Sequence, residues 1–344
     1  ATVSLNDGPG AIARSGAELW ITTLVYALGS SALAIALGVS SAWLVARTDA
    51  PFRRIAMVAA FLSLAVPVII KSIGWIMLLG PNSGLVNVML RLVVGGDEGP
   101  IELYSLGGMI FVEGMLWMPV VFLLTLPVLG AMDPSLEEAA ATSGADVRQT
   151  FQKVTLPLMR PSIFAVFLLA LIRALESFEV PLLIGAPGNL QTLTTAIYQS
   201  IHTGFMPNYG EASAFAAFLL LIVVAPLVYY YRLTTQADRF ATITGKGFRP
   251  RRLKLGAWRL PLGLWLLVIP VSLAAPLLIL LWASFLPIYK PPALADFSQL
   301  SLANYRSVWG RPETLSGLAN SALVGFWSAT VVVARTFAAA SLII

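Results

Sequence analysis

The sequence has no cysteine, a single histidine and little charge for its 344 residues. Without cysteine there is no disulfide and no thiolate chemistry, and His202 alone cannot supply the ligands of a zinc or copper site. We therefore predict no metal site built by the protein. The sequence also lacks a phosphate-binding loop of the GxxxxGK[ST] form, so nucleotide hydrolysis is not expected of this chain.

Charged residues make up only 11% of the chain, whereas 58% of its residues are hydrophobic and the mean hydropathy is +0.82. This composition excludes an ordinary soluble domain. A helix needs about 20 apolar residues to span the ~30 Å hydrocarbon core of a bilayer. The segments that reach this length lie at 19–46, 55–80, 106–130, 162–186, 211–231, 260–286 and 317–343. They do not alternate as barrel strands do, so we predict an all-α polytopic transmembrane helix bundle.

The formal net charge of +5 comes from basic residues that are gathered in particular loops. These loops lie at 47–54, 148–160 and 232–259. Because cytoplasmic loops carry an excess of Lys and Arg, we place all three in the cytoplasm, and the first span then runs from outside to inside. Topology in a lipid bilayer thus explains the charge, and nucleic acid is not a predicted partner.

An internal repeat is visible at an offset of 298 residues, where TTLVYALGSSALAIALGVS from Thr22 aligns with NSALVGFWSATVVVARTFA from Asn320. Transporters often consist of two such related halves. We predict a first repeat at 1–232 that lacks its first span, a basic cytoplasmic linker at 233–259 and the truncated start of a second repeat at 260–344. The chain would then be a fragment of a longer two-repeat protein. The linker either sets topology beside lipid headgroups or contacts a partner.

The basic loop between the third and fourth spans predicts two short helices around a glycine. Asp133 is a good N-cap for a helix that Gly144 should end. Asp146 can cap a second helix, which Pro157 and Pro161 should close before the next span.

This helix pair has two possible uses. Leu136, Val147 and Phe151 are apolar side chains of the kind that fit the groove of a partner, and the small residues Ala139 to Ala141 would let another backbone approach closely. The alternative is an amphipathic pair that lies on the lipid surface or packs under its own bundle.

The spacing within this loop resembles the EAA loop of permease subunits in bacterial binding-protein-dependent ABC importers. The matching residues are Glu138, Ala139, Ala140, Gly144, Val154, Leu156 and Pro157. The resemblance extends to ESFEVPLLIG from Glu176 and DRFATITGKGFRPRR from Asp238. These stretches look like the fused two-repeat permeases for ferric iron, with thiamine, phosphonate and polyamine permeases as near relatives.

This resemblance implies a set of partners and a mechanism. The segment 133–160 would be a coupling loop, with Gly144 as its pivot and Glu138 as its polar contact on a cytoplasmic ABC ATPase dimer. That dimer would use ATP, while this permease would bind no cofactor and catalyse no reaction. A periplasmic solute-binding protein would deliver the solute to the bacterial cell inner membrane, and alternating access would move it inward. The first span of the first half and the second EAA loop expected of such a permease are missing from the sequence.

Charged residues inside spans are costly in hydrocarbon and normally face a partner or a water-filled path. The candidates for a translocation path are Lys71, Arg173, Glu176 and Glu179, and the other intramembrane charges are Glu113 and Arg335. Arg173 and Glu176 are also spaced for a local salt bridge, and Lys71 could serve an anionic solute or snorkel to the interface. Glu179 precedes a helix-breaking proline, and broken helices with nearby acids tend to line pathways. A membrane-embedded enzyme or assembly factor, the competing class, would need clustered polar groups, whereas these charges are isolated.

Overall fold

The computed structural model describes residues 9–95, 99–132, 135–203, 206–237, 253–292 and 294–343. The α-helices in these ranges are α1 (Pro9–Arg47), α2 (Arg53–Ala65), α3 (Val68–Leu79), α4 (Leu85–Val94), α5 (Leu106–Ala131), α6 (Ser135–Thr142), α7 (Val147–Thr150), α8 (Leu156–Glu176), α9 (Leu193–His202), α10 (Tyr209–Ala237), α11 (Arg259–Trp265), α12 (Val268–Ser284), α13 (Ala303–Trp309) and α14 (Pro312–Ile343). Within the same ranges, β pairing is limited to one isolated bridge between Thr48 and Leu253. The predicted all-α fold is confirmed.

Six helical stretches of the described residues are long and apolar enough to cross a membrane. They are Gly16–Arg47, Leu106–Ala131, Arg148–Glu176, Tyr209–Arg232, Gly256–Ser284 and Pro312–Ser341. Each overlaps one of the segments predicted from hydropathy. The chain is therefore a multi-pass membrane protein, as its composition predicts.

The predicted segment 55–80 is bent at Pro67, the proline at which the sequence indicates a kink. α2 and α3 meet at an angle of 113°. The bend arises because the residue before a proline is disfavoured in the helical region, and Val66 is accordingly extended before Pro67. Lys71 braces the bend, since its Nζ donates to the carbonyl of Ser63 at 3.0 Å and to the Oγ of Ser63 at 3.1 Å. The lysine thus satisfies a carbonyl that the end of α2 leaves open.

The predicted span 162–186 is also broken, because α8 ends ten residues early. Ser177 is extended, with φ −61° and ψ 135°, and a π turn begins at Pro181. A proline ring clashes with the carbonyl four residues before it in a helix, and for Pro181 that carbonyl belongs to Ser177. The freed carbonyl accepts a hydrogen bond from Thr194 Oγ1 at 2.7 Å instead. The proline therefore sets the place of the break.

The core of the membrane bundle is built around α1, which packs along α5 and α8. Glycines allow α1 and α5 to approach closely. A Cβ at Gly38 would lie 2.6 Å from Val121 Cγ1, and one at Gly114 would lie 2.7 Å from Leu33 Cδ2. Small residues at helix interfaces are typical of membrane bundles, where packing replaces the hydrophobic effect.

Contacts at the two ends of the bundle show the directions of these helices. At one end Arg47 Nη2 donates to the carbonyl of Met132, so α1 and α5 end side by side. Toward the other end Tyr26 OH donates to Ser177 Oγ at 3.1 Å, so the end of α8 lies beside the first half of α1. α1 and α5 thus run parallel and α8 runs antiparallel to them, which agrees with the alternation predicted from loop charges. We name the end that carries Arg47 the basic end.

The predicted linker is partly described. α10 continues to Ala237, and residues 238–252 lie outside the described residues. Leu253 lies at the basic end, where it pairs with the turn between α1 and α2. Arg259 Nε lies 3.6 Å from Asp49 Oδ2 in the same region.

The chain forms two compact units, Ala1–Ile279 and Leu280–Ile344. In the second unit Asn304 Nδ2 donates to the carbonyl of Leu286 at 2.8 Å, which fixes the start of α13 against the preceding loop. This division does not address the predicted repeats, whose boundaries stay predictions.

Candidate functional site

The predicted coupling loop forms two short helices around Gly144 at the basic end. The glycine follows α6 and has a φ of +86°, the left-handed conformation that ends helices and favours glycine. Asp146 Oδ1 accepts the N–H of Gln149 at 2.7 Å, which is the capping contact predicted for it at the start of α7. The helix–glycine–helix arrangement is therefore confirmed, whereas its predicted start at Asp133 lies outside the described residues.

The outward side of this loop carries several of the residues that match the EAA pattern. Glu138, Ala139 and Gly144 are exposed, and Ala140 is half-buried. The side chain of Leu136, beside them on α6, is 51% exposed. A large apolar residue that stands among exposed polar and small ones is a typical anchor for a partner.

The other two predicted apolar anchors are Val147 and Phe151. The side chain of Val147 lies outside the described residues. The prediction that Phe151 anchors a partner is wrong, because its ring centroid lies 4.7 Å from that of Trp43 and it packs against the core between α1 and α5. Phe151 therefore fixes the loop to its own bundle.

The loop passes into α8 without the expected stop at Pro157 and Pro161, which corrects a second prediction. A π turn over Phe151–Thr155 is closed by the N–H of Leu156, and α8 continues through both prolines. Pro157 has no backbone N–H to donate, and it directly follows Leu156, which donates the last hydrogen bond of the π turn to the carbonyl of Phe151. Val154, Leu156 and Pro157 of the motif are half-buried at this junction. The loop and the span after it thus form one continuous helical segment.

Glu137, which the sequence-based prediction missed, holds the inward side of α6. Its Oε2 lies 3.3 Å from Arg47 Nε, and its Oε1 accepts a hydrogen bond from Thr155 Oγ1 at 2.7 Å. All three residues are buried. Glu137 and Glu138 are adjacent, so they point about 100° apart on a helix, and one faces the bundle while the other faces outward. In the sequence, the only sign that an acid of this loop is buried is Arg47, the basic residue at which the first span ends.

The charged residues predicted for the translocation path lie at different sites in the bundle. Arg173 Nη1 lies 3.1 Å from Glu176 Oε2, with side chains 53% and 42% exposed, so the predicted local salt bridge is confirmed. The guanidinium carbon of Arg173 also lies 5.2 Å from the ring centroid of Trp117, a cation–π contact. Glu179 is half-buried in the broken segment after α8. Lys71 is only 4% exposed and stays within the α2–α3 bend.

A buried polar network surrounds Glu113, which stood outside the predicted path. Ser177 Oγ donates to Glu113 Oε2 at 3.1 Å and accepts from Tyr26 OH at 3.1 Å. The network joins α1, α5 and the break after α8. Sequence gives the charge inside a span but not its neighbours, because these lie 64 or more residues apart along the chain.

The sequence is similar to permease proteins of named transport systems. The putative ferric transport system permease protein FbpB 1 of Haemophilus influenzae is 29% identical over 195 residues, which cover 57% of this chain and 30% of that protein. The probable sulfate transport system permease protein cysT of Chlorella vulgaris is 36% identical over 151 residues, which cover 39% of this chain and 54% of that protein. The chain thus spans less than a third of the length of the ferric relative.

The fold is similar to that of a chain in the crystal structure of a bacterial alginate ABC transporter, solved in complex with an alginate pentasaccharide-bound periplasmic protein. The TM-score is 0.50 with 21% identity, over 68% of this chain and 84% of that chain. The family model matches residues 34–239, a range that includes the whole candidate loop. The chain therefore belongs to the family described as the binding-protein-dependent transport system inner membrane component, a family of permease components and not of enzymes.

Proposed function

We propose that this chain is the transmembrane permease subunit of an ATP-driven ABC importer. The observation that carries the proposal is the exposed helix–glycine–helix loop, which follows the EAA pattern and is fixed to the bundle by its inward side. Membership of the permease family supports the same conclusion. A loop that only lay on lipid would need no buried ion pair to hold its orientation.

In this proposal the exposed face of the loop docks on a cytoplasmic ABC ATPase dimer. Glu138 supplies a polar contact, Ala139 and Ala140 allow close approach, and Gly144 provides the sharp turn between the two helices. ATP is bound and hydrolysed by the ATPase. Because the loop continues into α8 through Val154, Leu156 and Pro157, a displacement of the loop is passed directly to a membrane span.

The same topology supports a second proposed partner, on the other side of the membrane. The excess of basic residues supports a cytoplasmic location of the loop, so the opposite end of the bundle would face the periplasm of a bacterium and receive a solute-binding protein. The chain would then lie in the bacterial inner membrane. Solute would be delivered to the outer end and released inward by alternating access.

Arg173, Glu176 and Glu179 are the intramembrane charges that we assign to the translocation path. Arg173 and Glu176 remain substantially exposed although they lie near the end of an apolar span. Charges at that depth avoid hydrocarbon and face water or another part of the assembly. Lys71 is not retained in the path, because its ammonium is buried against Ser63.

Ferric iron is the solute that we propose first. The resemblance of the chain to ferric permeases, the similarity to the Haemophilus influenzae relative and the acid at Glu179 support it. Sulfate is a second candidate, favoured by the 36% identity to the Chlorella vulgaris protein. Polyamine, thiamine and phosphonate are further candidate solutes.

The test is ATPase stimulation by the complete permease reconstituted in liposomes with its ATPase and loaded binding protein. Two substitutions at Gly144 test whether the turn of the loop is needed for this stimulation. A Cβ at Gly144 would meet no described atom within 4 Å, so only the backbone conformation opposes a substitution. Asn tolerates a positive φ and Val does not. We expect Gly144→Asn to keep most of the stimulation and Gly144→Val to lose it.

Equal activity in the two variants would overturn the docking role of this turn. The solute is tested in the same liposomes by loading the binding protein with ferric ion or with sulfate. Stimulation by sulfate alone would overturn the iron assignment and leave the permease proposal standing. If the ATPase does not associate with the wild-type permease, the permease proposal itself fails.

A further inference from the structure

The buried carboxylate of Glu137 joins the exposed loop to two other elements at once. Through Oε2 it reaches Arg47, the last residue of α1, and through Oε1 it reaches Thr155, the last residue of the π turn. Arg47 also donates through Nη2 to the carbonyl of Met132 at 3.2 Å, just after α5. We name Arg47, Glu137 and Thr155 the α1 anchor. It ties α6 to the ends of both parallel spans.

The turn between α1 and α2, which begins directly after Arg47, is also hydrogen-bonded to the chain that leads into α11. The N–H of Leu253 donates to the carbonyl of Arg47 at 2.9 Å, and the N–H of Asp49 donates to the carbonyl of Leu253 at 3.2 Å. The N–H of Leu255 donates to Asp49 Oδ1 at 3.0 Å. Through these hydrogen bonds, the residues that follow Arg47 connect the coupling loop to the segment that begins at Leu253 and leads into α11.

We propose that Arg47 and Glu137 are the positioning pair of the coupling loop. The proposal rests on the proposed permease function, and it assigns to the pair the transfer of loop displacement to α1 and to the chain from Leu253 onward. The exposed residues of the loop meet the ATPase, whereas this pair makes α1 follow the loop when the ATPase moves it. Loss of the pair would leave docking intact and uncouple it from the membrane spans.

The chemistry of the pair fits this task better than apolar packing would. Burying two opposite charges brings little net stability, and such pairs can be replaced by apolar residues with little loss. What an ion pair adds is a fixed partner, since a buried charge cannot move to another contact without an uncompensated cost. The Thr155 hydroxyl restricts the carboxylate further, because it occupies the second oxygen. α6 is thereby held to one register on α1.

The first test measures the position of the loop without any partner. Because the chain has no native cysteine, spin labels can be placed at Leu136→Cys on the exposed side of α6 and at Arg54→Cys just past the α1–α2 turn. We expect Glu137→Gln to broaden the distance distribution between the labels. The matched control, Glu138→Gln, changes the exposed neighbour and should leave the distribution as in wild type. An unchanged distribution in Glu137→Gln would overturn the proposal.

The second test separates docking from coupling in the complete transporter. In Glu137→Gln the ATPase should co-purify as with wild type, while stimulation of hydrolysis by loaded binding protein falls about tenfold or more. Wild-type stimulation in this variant would overturn the positioning role. Failure of the ATPase to bind wild-type permease would instead reject the proposed function, and the label distances would still decide on the anchor.

A double variant that is expected to keep the fold separates a loss of coupling from a loss of stability. In Arg47→Met combined with Glu137→Leu, both charges are replaced by apolar groups, which is the exchange that buried pairs tolerate best. We expect this double variant to express and bind the ATPase but to lose stimulation as Glu137→Gln does. Full stimulation in the double variant would show that packing alone positions the loop, and the proposal would be wrong.

Discussion

Two buried glutamates in this bundle are held in different ways. Glu137 lies at the basic end and is paired with Arg47, while Glu113 lies within α5 and is held by the Ser177 hydroxyl. Both residues are at most 5% exposed. Among the described residues, no cation lies within ion-pair distance of Glu113. The molecule thus compensates one acid with a charge and the other with hydroxyl groups.

The difference follows the position of each acid in the membrane. At the basic end, arginines are plentiful because the loops there carry the topology signal, and a partner can be drawn from them. Within the span a second charge would be costly, so a neutral network is the cheaper solution. The charged pair joins the loop helix α6 to the end of α1, whereas the hydroxyl network joins three elements where α8 breaks. We infer that buried charge pairs serve for attachment here and hydroxyls for the shape of the bundle.

The largest effect is expected where removal of one acid leaves a buried cation behind. Glu137→Ala strands the Arg47 guanidinium among the residues of the core, and breaking a buried pair in this way costs about 3–5 kcal/mol of unfolding free energy. Thermal unfolding of the permease in detergent measures the loss. Glu138→Ala, on the exposed side of the same helix, is the control and should change stability by less than about 0.5 kcal/mol. Equal effects at both positions would contradict the comparison.

A smaller effect is expected from the hydroxyl that links the second acid to α1. Ser177→Ala removes the acceptor of Tyr26 OH and the donor to Glu113 in one step. Because Tyr26 and Glu113 also interact with each other, they are not left without a partner, and we expect a total loss of about 1–3 kcal/mol. The unfolding midpoint in detergent should therefore fall, and by less than in Glu137→Ala. The unfolding midpoint of Thr194→Val can be compared with that of Ser177→Ala, because Thr194→Val removes a different hydroxyl at the same break, the one bonded to the carbonyl of Ser177.

A smaller change still should follow from neutralising Glu113 itself. Glu113→Gln keeps an oxygen that accepts from Ser177 Oγ, and it leaves no cation unpaired. The expected change in unfolding free energy is about 1 kcal/mol or less, in the range of one ordinary hydrogen bond. The same Glu→Gln exchange at Glu137 should cost more, because Arg47 then loses its counter-charge. If the two exchanges cost the same, the ion pair would have no special part in holding the loop.

The sequence predicts much of this fold and only part of the site. Long apolar runs predict the spans, and a single proline explains why α2 and α3 separate at Pro67, yet no local pattern gives the angle between them. Gly144 and Asp146 follow local backbone rules, so both were predictable. The inward turn of Glu137 depends on Arg47, which lies 90 positions earlier, and no neighbouring residue signals it. Pro157 misled the prediction because the π turn before it lets the helix continue.

The smallest effect on stability should come from the pair on α8, because both of its side chains are exposed whereas the two glutamates compared above are buried. Arg173 and Glu176 form a salt bridge with both side chains well exposed. Exposed pairs are typically worth less than about 1 kcal/mol, so Arg173→Gln combined with Glu176→Gln should unfold close to wild type. If the two residues face the translocation path, the same variant should transport solute more slowly while retaining its stability. A stable variant with wild-type uptake in liposomes would remove the pair from the path, because a charge that lines the route cannot be lost without changing passage.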